Sequence, residues 1–598
     1  MRRMTFLFAG LMLAEAAGAA TVPAADPVAA DPPRITLRMG VAVPLRDGVK
    51  LSANAYLPKA GAPGACLFNL SPYMAQTYHE WGTYFAEHGI AFVAVDSRGR
   101  GDSGGVFRPM IQEAKDGYDV TEWLAAQPYC NGKVGMWGGS YTGYDQWATA
   151  KERPPHLVTI VPAAAAHAGV DFPGRNNIFS TFVFEWLTMT SGHGLQEGIV
   201  ADRGFWGRLW RDRFEQGKSF DTIDQALGSP PPMMREWIDH PEVSDYLDSY
   251  SPTPKDYAAL DIPVLTITGS FDADQPGALA YYDEHMRYGS PAGRAKHYLV
   301  IGPWDHAGTH TSRAEAGGVK FGPAALLDLN QLHLDWYRWT MAAGTAPAFL
   351  QKRVAYYVMG ADRWRYADTL AGATARSEAY RLSSGGDADH LFASGALVAD
   401  GTGASGAAKA KSDAYVYDPR DVGLAALETT LDPESKVDQQ WVFANDGKQL
   451  VYHSAPFDRD TELTGSFRLS AWISIDQPDT DFIASVYEID GSGQSVLLST
   501  DLLRARYRES QRHAVLVKTT SPLKYDFDHF TFISRRIAKG SRLRLVIGPI
   551  NSINTEKNYN SGGTVAAETM KDARPVKVTL MHSDRYPSAL YVPIGQPD

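Results

Sequence analysis

The sequence predicts an α/β core on a mostly parallel sheet, with a helical insertion and a following all-β domain. Three observations predict it. Short unbroken apolar runs at 66–70, 90–95, 134–137, 157–161, 264–267 and 298–301 alternate with helical stretches. Such runs suit strands covered on both faces, and their alternation with helices implies βαβ units in a doubly wound sheet. The alternation breaks over 171–258, a region rich in Trp, Phe, Met and Arg. From about 440 onward, short alternating strands separated by turn signals take over, the pattern of a β-sandwich.

The elements follow in order. With 598 residues the chain exceeds a single core. Arg2 and Arg3, the apolar run Met4–Leu13 and the small residues Ala17–Ala20 form an expected export leader over 1–20. That run is too short to span a bilayer, and the leader places the mature protein in the periplasm or outside the cell. Residues 21–34 are rich in Ala, Pro and Asp and are expected to form a disordered tail. Asp47-Gly48 marks a hairpin turn before Val49, Leu51, Ala53, Ala55 and Leu57, which alternate with polar or larger residues. Residues 35–170 are assigned to the first part of the core, 171–258 to a helical cap, 259–350 to the rest of the core and 351–598 to the β-domain. A helix over 76–88 stops at Gly89, and another over 112–126 puts Val120, Trp123 and Leu124 on one face. Gly401–Lys411 has the composition of a mobile loop. No later stretch is long and apolar enough for a membrane helix.

The net charge is −11, from 57 basic and 68 acidic residues, and no long Lys/Arg run occurs. This argues against a nucleic-acid partner. Two cysteines, Cys66 and Cys130, are too few for a cysteine-based metal site.

Val134-Gly135-Met136-Trp137-Gly138-Gly139-Ser140-Tyr141-Thr142-Gly143 runs an apolar strand into a glycine-flanked serine and then a helix. That is the context of a nucleophile elbow in an α/β-hydrolase core. The glycine at +3, not +2, departs from strict G-x-S-x-G. A serine nucleophile needs a base, and the base an orienting acid; in this fold class both follow the serine, in the order acid then His, at strand ends. Asp272 follows the strand near 264–267, and His306 follows the strand near 298–301. Asp274 and Asp305 are the alternatives for the acid.

Gly138-x-Ser140-Tyr141-x-Gly143 together with Gly302-Pro303-Trp304-x-His306 resembles the CocE/NonD family of hydrolases, in which the glycine falls at +3. Val95–Ser103 and Arg504–Ser510 are similar to further segments of that family, so the resemblance covers nearly the whole mature chain. It implies an α/β-hydrolase core with an inserted helical cap and a C-terminal jelly-roll domain. It implies an oxyanion hole made by the Tyr141 N–H and the Tyr73 hydroxyl. It implies substrate-contacting positions at Asp274 and Asp171, with Gln275 where some members have a second acid, so an ammonium-binding cluster is incomplete; Trp304 is a further candidate. In that fold Cys66 and Cys130 start neighbouring strands, and a disulfide between them is expected, with two separate thiols as the alternative. The expected substrate is a small ester or amide, no metal or organic cofactor is required, and homo-oligomerisation is left open. The rivals are an X-Pro dipeptidyl-peptidase-like exopeptidase and a saccharide- or peptide-binding protein with an inert hydrolase core.

Overall fold

The computed structural model describes residues 34–59, 61–228, 231–400 and 410–597. The expected leader, all of the expected tail but Arg34, and most of the 401–411 loop lie outside the described residues.

Strands β1 (Ile35–Pro44), β2 (Lys50–Pro58), β3 (Gly64–Ser71), β4 (Ala91–Asp96), β5 (Cys130–Gly139), β6 (Leu157–Ala163), β7 (Val264–Phe271), β8 (His297–Asp305), β9 (Val354–Val358) and β10 (Arg363–Ala367) form one sheet. Their order is β1-β2-β4-β3-β5-β6-β7-β8-β9-β10. From β4 through β9 all neighbours are parallel. The hairpin of β1 and β2 at one edge and β10 at the other run antiparallel. The sheet thus continues past 350, because Val354–Val358 pairs with β8.

Every residue of β4 and β7 is buried, as continuous apolar runs require of strands covered on both faces. Helices α1 (His79–Glu87), α2 (Glu113–Ala125) and α3 (Tyr141–Glu152) follow β3, the β4 loop and β5. The cap contributes α4 (Phe182–Met189), α5 (Arg203–Glu215) and α6 (Pro232–Ile238). Helix α7 (Gln275–Tyr288) follows β7, and α8 (Leu329–Met341) precedes β9. One face of the sheet packs Phe68, Val93, Met136 and Ile160 against Val120, Leu124, Trp147 and Tyr281 of α2, α3 and α7. The other packs Leu67, Phe92 and Val161 against Phe85 of α1 and Trp336 and Tyr337 of α8.

In the cap, Trp206 and Trp210 stack with centroids 5.4 Å apart and are buried with Phe184 and Trp237 in a core shared with Tyr144 of α3 and Ile553 of the β-domain. Thirteen strands between Thr374 and Gly595 form the C-terminal sheet. It curls around Leu469, Phe482, Phe527, Leu545, Leu580 and Leu590. Val576, Val578 and Leu580 point inward at every second position, the two-residue period of a half-buried strand.

Three connections, two of them buried, fix these parts together. Gln275 is fully buried; its amide donates to the Gly269 and Phe532 carbonyls and accepts from the Phe532 N–H. Arg504 binds Asp481 at 2.8 and 2.9 Å and Glu556 at 2.8 Å, and donates to the Asn177 carbonyl in the cap at 3.1 Å. The Tyr507 hydroxyl donates to Glu242 of the cap at 3.0 Å. Cys66 and Cys130, near the starts of the adjacent strands β3 and β5, are disulfide-bonded with Cα atoms 5.7 Å apart, an ordinary spacing. The bond lies at the amino ends of the strands, opposite Ser140. Among the described residues no helix is long and apolar enough to cross a membrane.

Candidate active site

Strand β5 ends at Gly139, and the next residue, Ser140, caps α3 with φ 60° and ψ −127°. This is a sparsely populated conformation for an L-residue, held only where the surroundings over-determine it. Its N–H donates to the Ala163 carbonyl at 2.9 Å, and its carbonyl accepts from Gly143 and Tyr144 at 2.9 and 3.0 Å. The position of the second glycine has a steric cause. A Cβ at Gly143 would lie 2.6 Å from the Ala163 carbonyl oxygen and 3.0 Å from the Ala165 Cα. Helix α3 therefore starts directly against the end of β6, and the residue at +3 makes the close approach. Thr142 at +2 instead turns its hydroxyl to the Gly139 carbonyl at 2.8 Å.

The ends of β7 and β8 bring the other two positions. Asp272 is 3% exposed. Its carboxylate accepts from the Thr268 hydroxyl at 2.9 Å and from the Asp274 N–H at 3.0 Å. The same Oδ1 lies 2.8 Å from Nδ1 of His306. With Nδ1 donating, Nε2 carries the lone pair a general base needs. The turn after His306 folds over the elbow, because a Cβ on Gly139 would collide with the His310 imidazole. Among the described residues no hydrogen bond joins the Ser140 hydroxyl to His306 directly; that hydroxyl lies within hydrogen-bonding reach of the Tyr73 phenol.

Tyr73 sits on the turn after β3. The Ser71 hydroxyl accepts from its N–H at 3.0 Å, and fully buried Arg100 donates to the Pro72 carbonyl at 2.9 Å. Arg100 also donates to the Thr190 and Gly194 carbonyls of the cap. The Trp186 indole of α4 donates to the Tyr73 oxygen at 3.0 Å. That fills an acceptor position on the phenol and leaves its own O–H free to point toward Ser140. Trp186 also stacks on the Tyr141 ring, 5.2 Å between centroids at 27°. The Tyr141 hydroxyl donates to Glu113 at 2.6 Å. As the first residue of α3, Tyr141 has an N–H with no acceptor inside the helix.

Charge is arranged around the imidazole. Burial opposes the protonated form of His306. The Asp274 carboxylate, 3.7 Å from Nδ1, then the Asp272 hydrogen bond and charge, and then Asp305, more than offset this and raise its pKa to about 10. Burial raises Asp274 to about 6, against the pull of His306. Burial pushes the Tyr73 phenol up to about 12, against the hydrogen bonds of Trp186 and Ser140, so it remains a neutral donor. Burial also raises Glu113 to about 7, against the Tyr141 hydrogen bond.

The comparisons with known proteins fit this geometry. Residues 47–308 match the X-Pro dipeptidyl-peptidase (S15 family) model, and residues 349–590 match the X-Pro dipeptidyl-peptidase C-terminal non-catalytic domain. Cocaine esterase of Rhodococcus sp. (strain MB1 Bresler) is 26% identical over 580 residues, covering 93% of this chain and 98% of that protein. An α-amino acid ester hydrolase structure superposes with a TM-score of 0.78 at 20% identity, covering 96% of this chain and 100% of that one. A CocE/NonD family hydrolase from Staphylococcus aureus gives a TM-score of 0.64 at 17% identity, covering 94% of each chain. The chain is a serine hydrolase of the CocE/NonD type.

In this CocE/NonD-type hydrolase the remaining candidate positions divide. Asp274 lies beside His306 and is partly exposed. Asp171 lies near it, but both its oxygens are taken: His167 N–H donates at 2.8 Å and Gly277 N–H at 2.6 Å. It anchors the start of α7. Gln275 is consumed in the contact with Phe532. Trp304 is a correction: it is fully buried, its ring lies over Gly302 and its indole donates to the Ala325 carbonyl at 2.9 Å. It supports the β8 turn from below and is out of a substrate's reach. Asp305 accepts from the Gly308 N–H at 2.8 Å and shapes the turn. Sequence reasoning missed Arg100, Glu113 and His310, and the hydrogen bond from Trp186 to Tyr73. Arg100 lay within a segment singled out by resemblance; nothing in the local sequence signals the other contacts.

Proposed function

We propose that this hydrolase cleaves small carboxylic esters through an acyl-enzyme on Ser140. The hydrogen bond between Asp272 and His306, on the sheet edge that carries Ser140 and Tyr73, carries the reading. Nε2 of His306 takes the Ser140 proton as the oxygen adds to the ester carbonyl. The Tyr73 O–H and the Tyr141 N–H stabilise the oxyanion. His306 returns the proton to the departing alkoxide, and a water activated by the same imidazole releases the acid. Asp272 orients the ring and stabilises its cation. The Ser140–His306 hydrogen bond forms as substrate draws the hydroxyl away from Tyr73, a tightening common on going from free enzyme to complex.

An ester fits better than an X-Pro peptide, the reading the family model's description favours. Recognition of a free amino terminus needs desolvated carboxylates around an ammonium. Here Asp171 and Gln275 are engaged elsewhere, and Asp274 faces His306. The relative named cocaine esterase points the same way. A panel of p-nitrophenyl esters of neutral acids, α-amino acid esters and X-Pro anilides tests this. The highest kcat/KM is expected on the neutral esters; preferential cleavage of the anilides would overturn the choice. Ser140→Ala is expected to lower kcat about 10⁴- to 10⁶-fold with an unchanged far-UV circular dichroism spectrum.

A further inference from the structure

Away from the catalytic edge, the cap and the β-domain line two neighbouring cavities along their seam. The outer one, of about 630 Å³, is lined by Arg213, Lys218, Thr222 and Lys571 among others. The inner one, of about 40 Å³, shares Arg213 and Lys218 and adds Phe214, Thr555, Lys557 and Tyr559. Among the described residues no carboxylate lines either chamber, in a chain whose net charge is −11.

Lys557 is 8% exposed, and its ammonium has no hydrogen-bond partner among the described residues; the Thr555 hydroxyl is also buried without one. The ammonium lies 3.7 Å from the Phe214 ring centroid and 5.5 Å from that of Tyr559. Ring faces offset part of its charge, but they leave N–H donors unmet. The nearest acids are occupied: Asp418 binds Arg420 at 2.7 Å, and Asp421 binds Lys448 at 2.5 Å. Asp221 and Asp224 act on Arg213 through space, and Asp224 is itself paired with Arg235 at 3.0 Å. A buried ammonium without an acceptor either gives up its proton or takes an anion. Burial already pulls Lys557 down to about 7, against the distant acids.

We infer that this seam is a binding site for a compact monoanion, a carboxylate group or a halide, held by the Lys557 ammonium and the Thr555 hydroxyl. The inner chamber has room for a few water-sized groups. The outer chamber would take the remainder of a carboxylic acid, beside Arg213 and Lys218, which line both cavities. The Thr555 segment is bridged to Ser180 of the cap, two residues before α4, so an occupied site braces the helix that carries Trp186.

The test uses the full chain at fixed ionic strength, with sodium acetate and sodium chloride each titrated against sodium methanesulfonate, which is neither a carboxylate nor a halide. A saturable rise in Tm of about 2–4 °C at a hundredfold excess over Kd is expected in the wild type. Saturation by acetate alone assigns a carboxylate, and saturation by chloride assigns a halide. Lys557→Met is expected to abolish the saturable part while ester turnover persists. Thr555→Val keeps the cation and is expected to weaken the half-saturating concentration about 3- to 10-fold; it serves also if Lys557→Met does not fold. A bromide-soaked crystal is expected to show an anomalous peak within hydrogen-bond distance of the Lys557 ammonium. No saturation by either anion in the wild type, an unchanged titration in both variants, or, where chloride saturates, no bromide peak at Lys557 would overturn the assignment.

Discussion

Two carboxylates, Asp272 and Asp274, stand at Nδ1 of His306, and the consequence is kinetic. Turnover needs the neutral imidazole, so activity is expected to rise with pH through the raised pKa of about 10 and to lie low in acid. Asp274 is the first of the raising groups. Asp274→Asn removes that charge, so the rising limb of the kcat/KM profile is expected to move to lower pH by about one unit or more. The ring is 39% exposed, so solvent screens part of the effect, and its direction is the decisive outcome. A limb that stays in place would remove Asp274 from the base's environment. Tyr73→Phe is expected to lower kcat about 10²–10³-fold with little change in KM, as loss of one oxyanion donor does. Trp186→Phe keeps a ring against Tyr141 and removes only the indole N–H. Its cost in kcat is expected to shrink strongly in the Tyr73→Phe background, and a double-mutant cycle reads that coupling. At this scale the sequence makes Ser140, Asp272 and His306 visible, because each stands at the end of an unbroken apolar run. Trp186 and Tyr73 are 113 positions apart, and no local pattern encodes their contact.

Among the elements, the junction of β5 with α3 bears the closest packing. Gly143→Ala places a methyl group against the Ala163 carbonyl, and the backbone of β6 has no rotamer with which to retreat. A loss of about 1–3 kcal/mol is expected in urea unfolding, together with a fall in kcat as Ser140 is displaced. The strands β3 to β8 are legible because burial on both faces forces continuous apolar sequence. Helix ends are legible where a glycine must take positive φ, as Gly89 does at +86° after α1. The elements past 350 were harder. Val354–Val358 is a short apolar run that reads equally well as part of a new domain, and only its pairing with β8 assigns it to the core sheet. Trp304 misled for a similar reason: a tryptophan in a strand-end turn reads as a pocket wall, but Gly302 leaves space for its ring underneath.

For the whole molecule, the decisive contacts are polar and cross between parts of the chain. Arg504 is buried among Asp481 and Glu556 and reaches the Asn177 carbonyl, 327 residues away in sequence. Arg504→Met leaves two buried carboxylates without their counter-ion. A destabilisation of about 3–5 kcal/mol is expected in chemical denaturation, with the cap and β-domain losing one of their attachments. Sequence alone showed Arg504 only as part of a familiar segment, since the three acceptors it serves come from separate elements. The bond between Gln275 and Phe532 has a further meaning. Asp272 and Asp274 stand just ahead of α7, whose first residue is clasped by a strand made 257 positions later. A nascent chain that has already released its hydrolase sheet therefore still lacks the clasp on Gln275. The chain must be complete through Phe532 before the start of α7 has all of its hydrogen bonds.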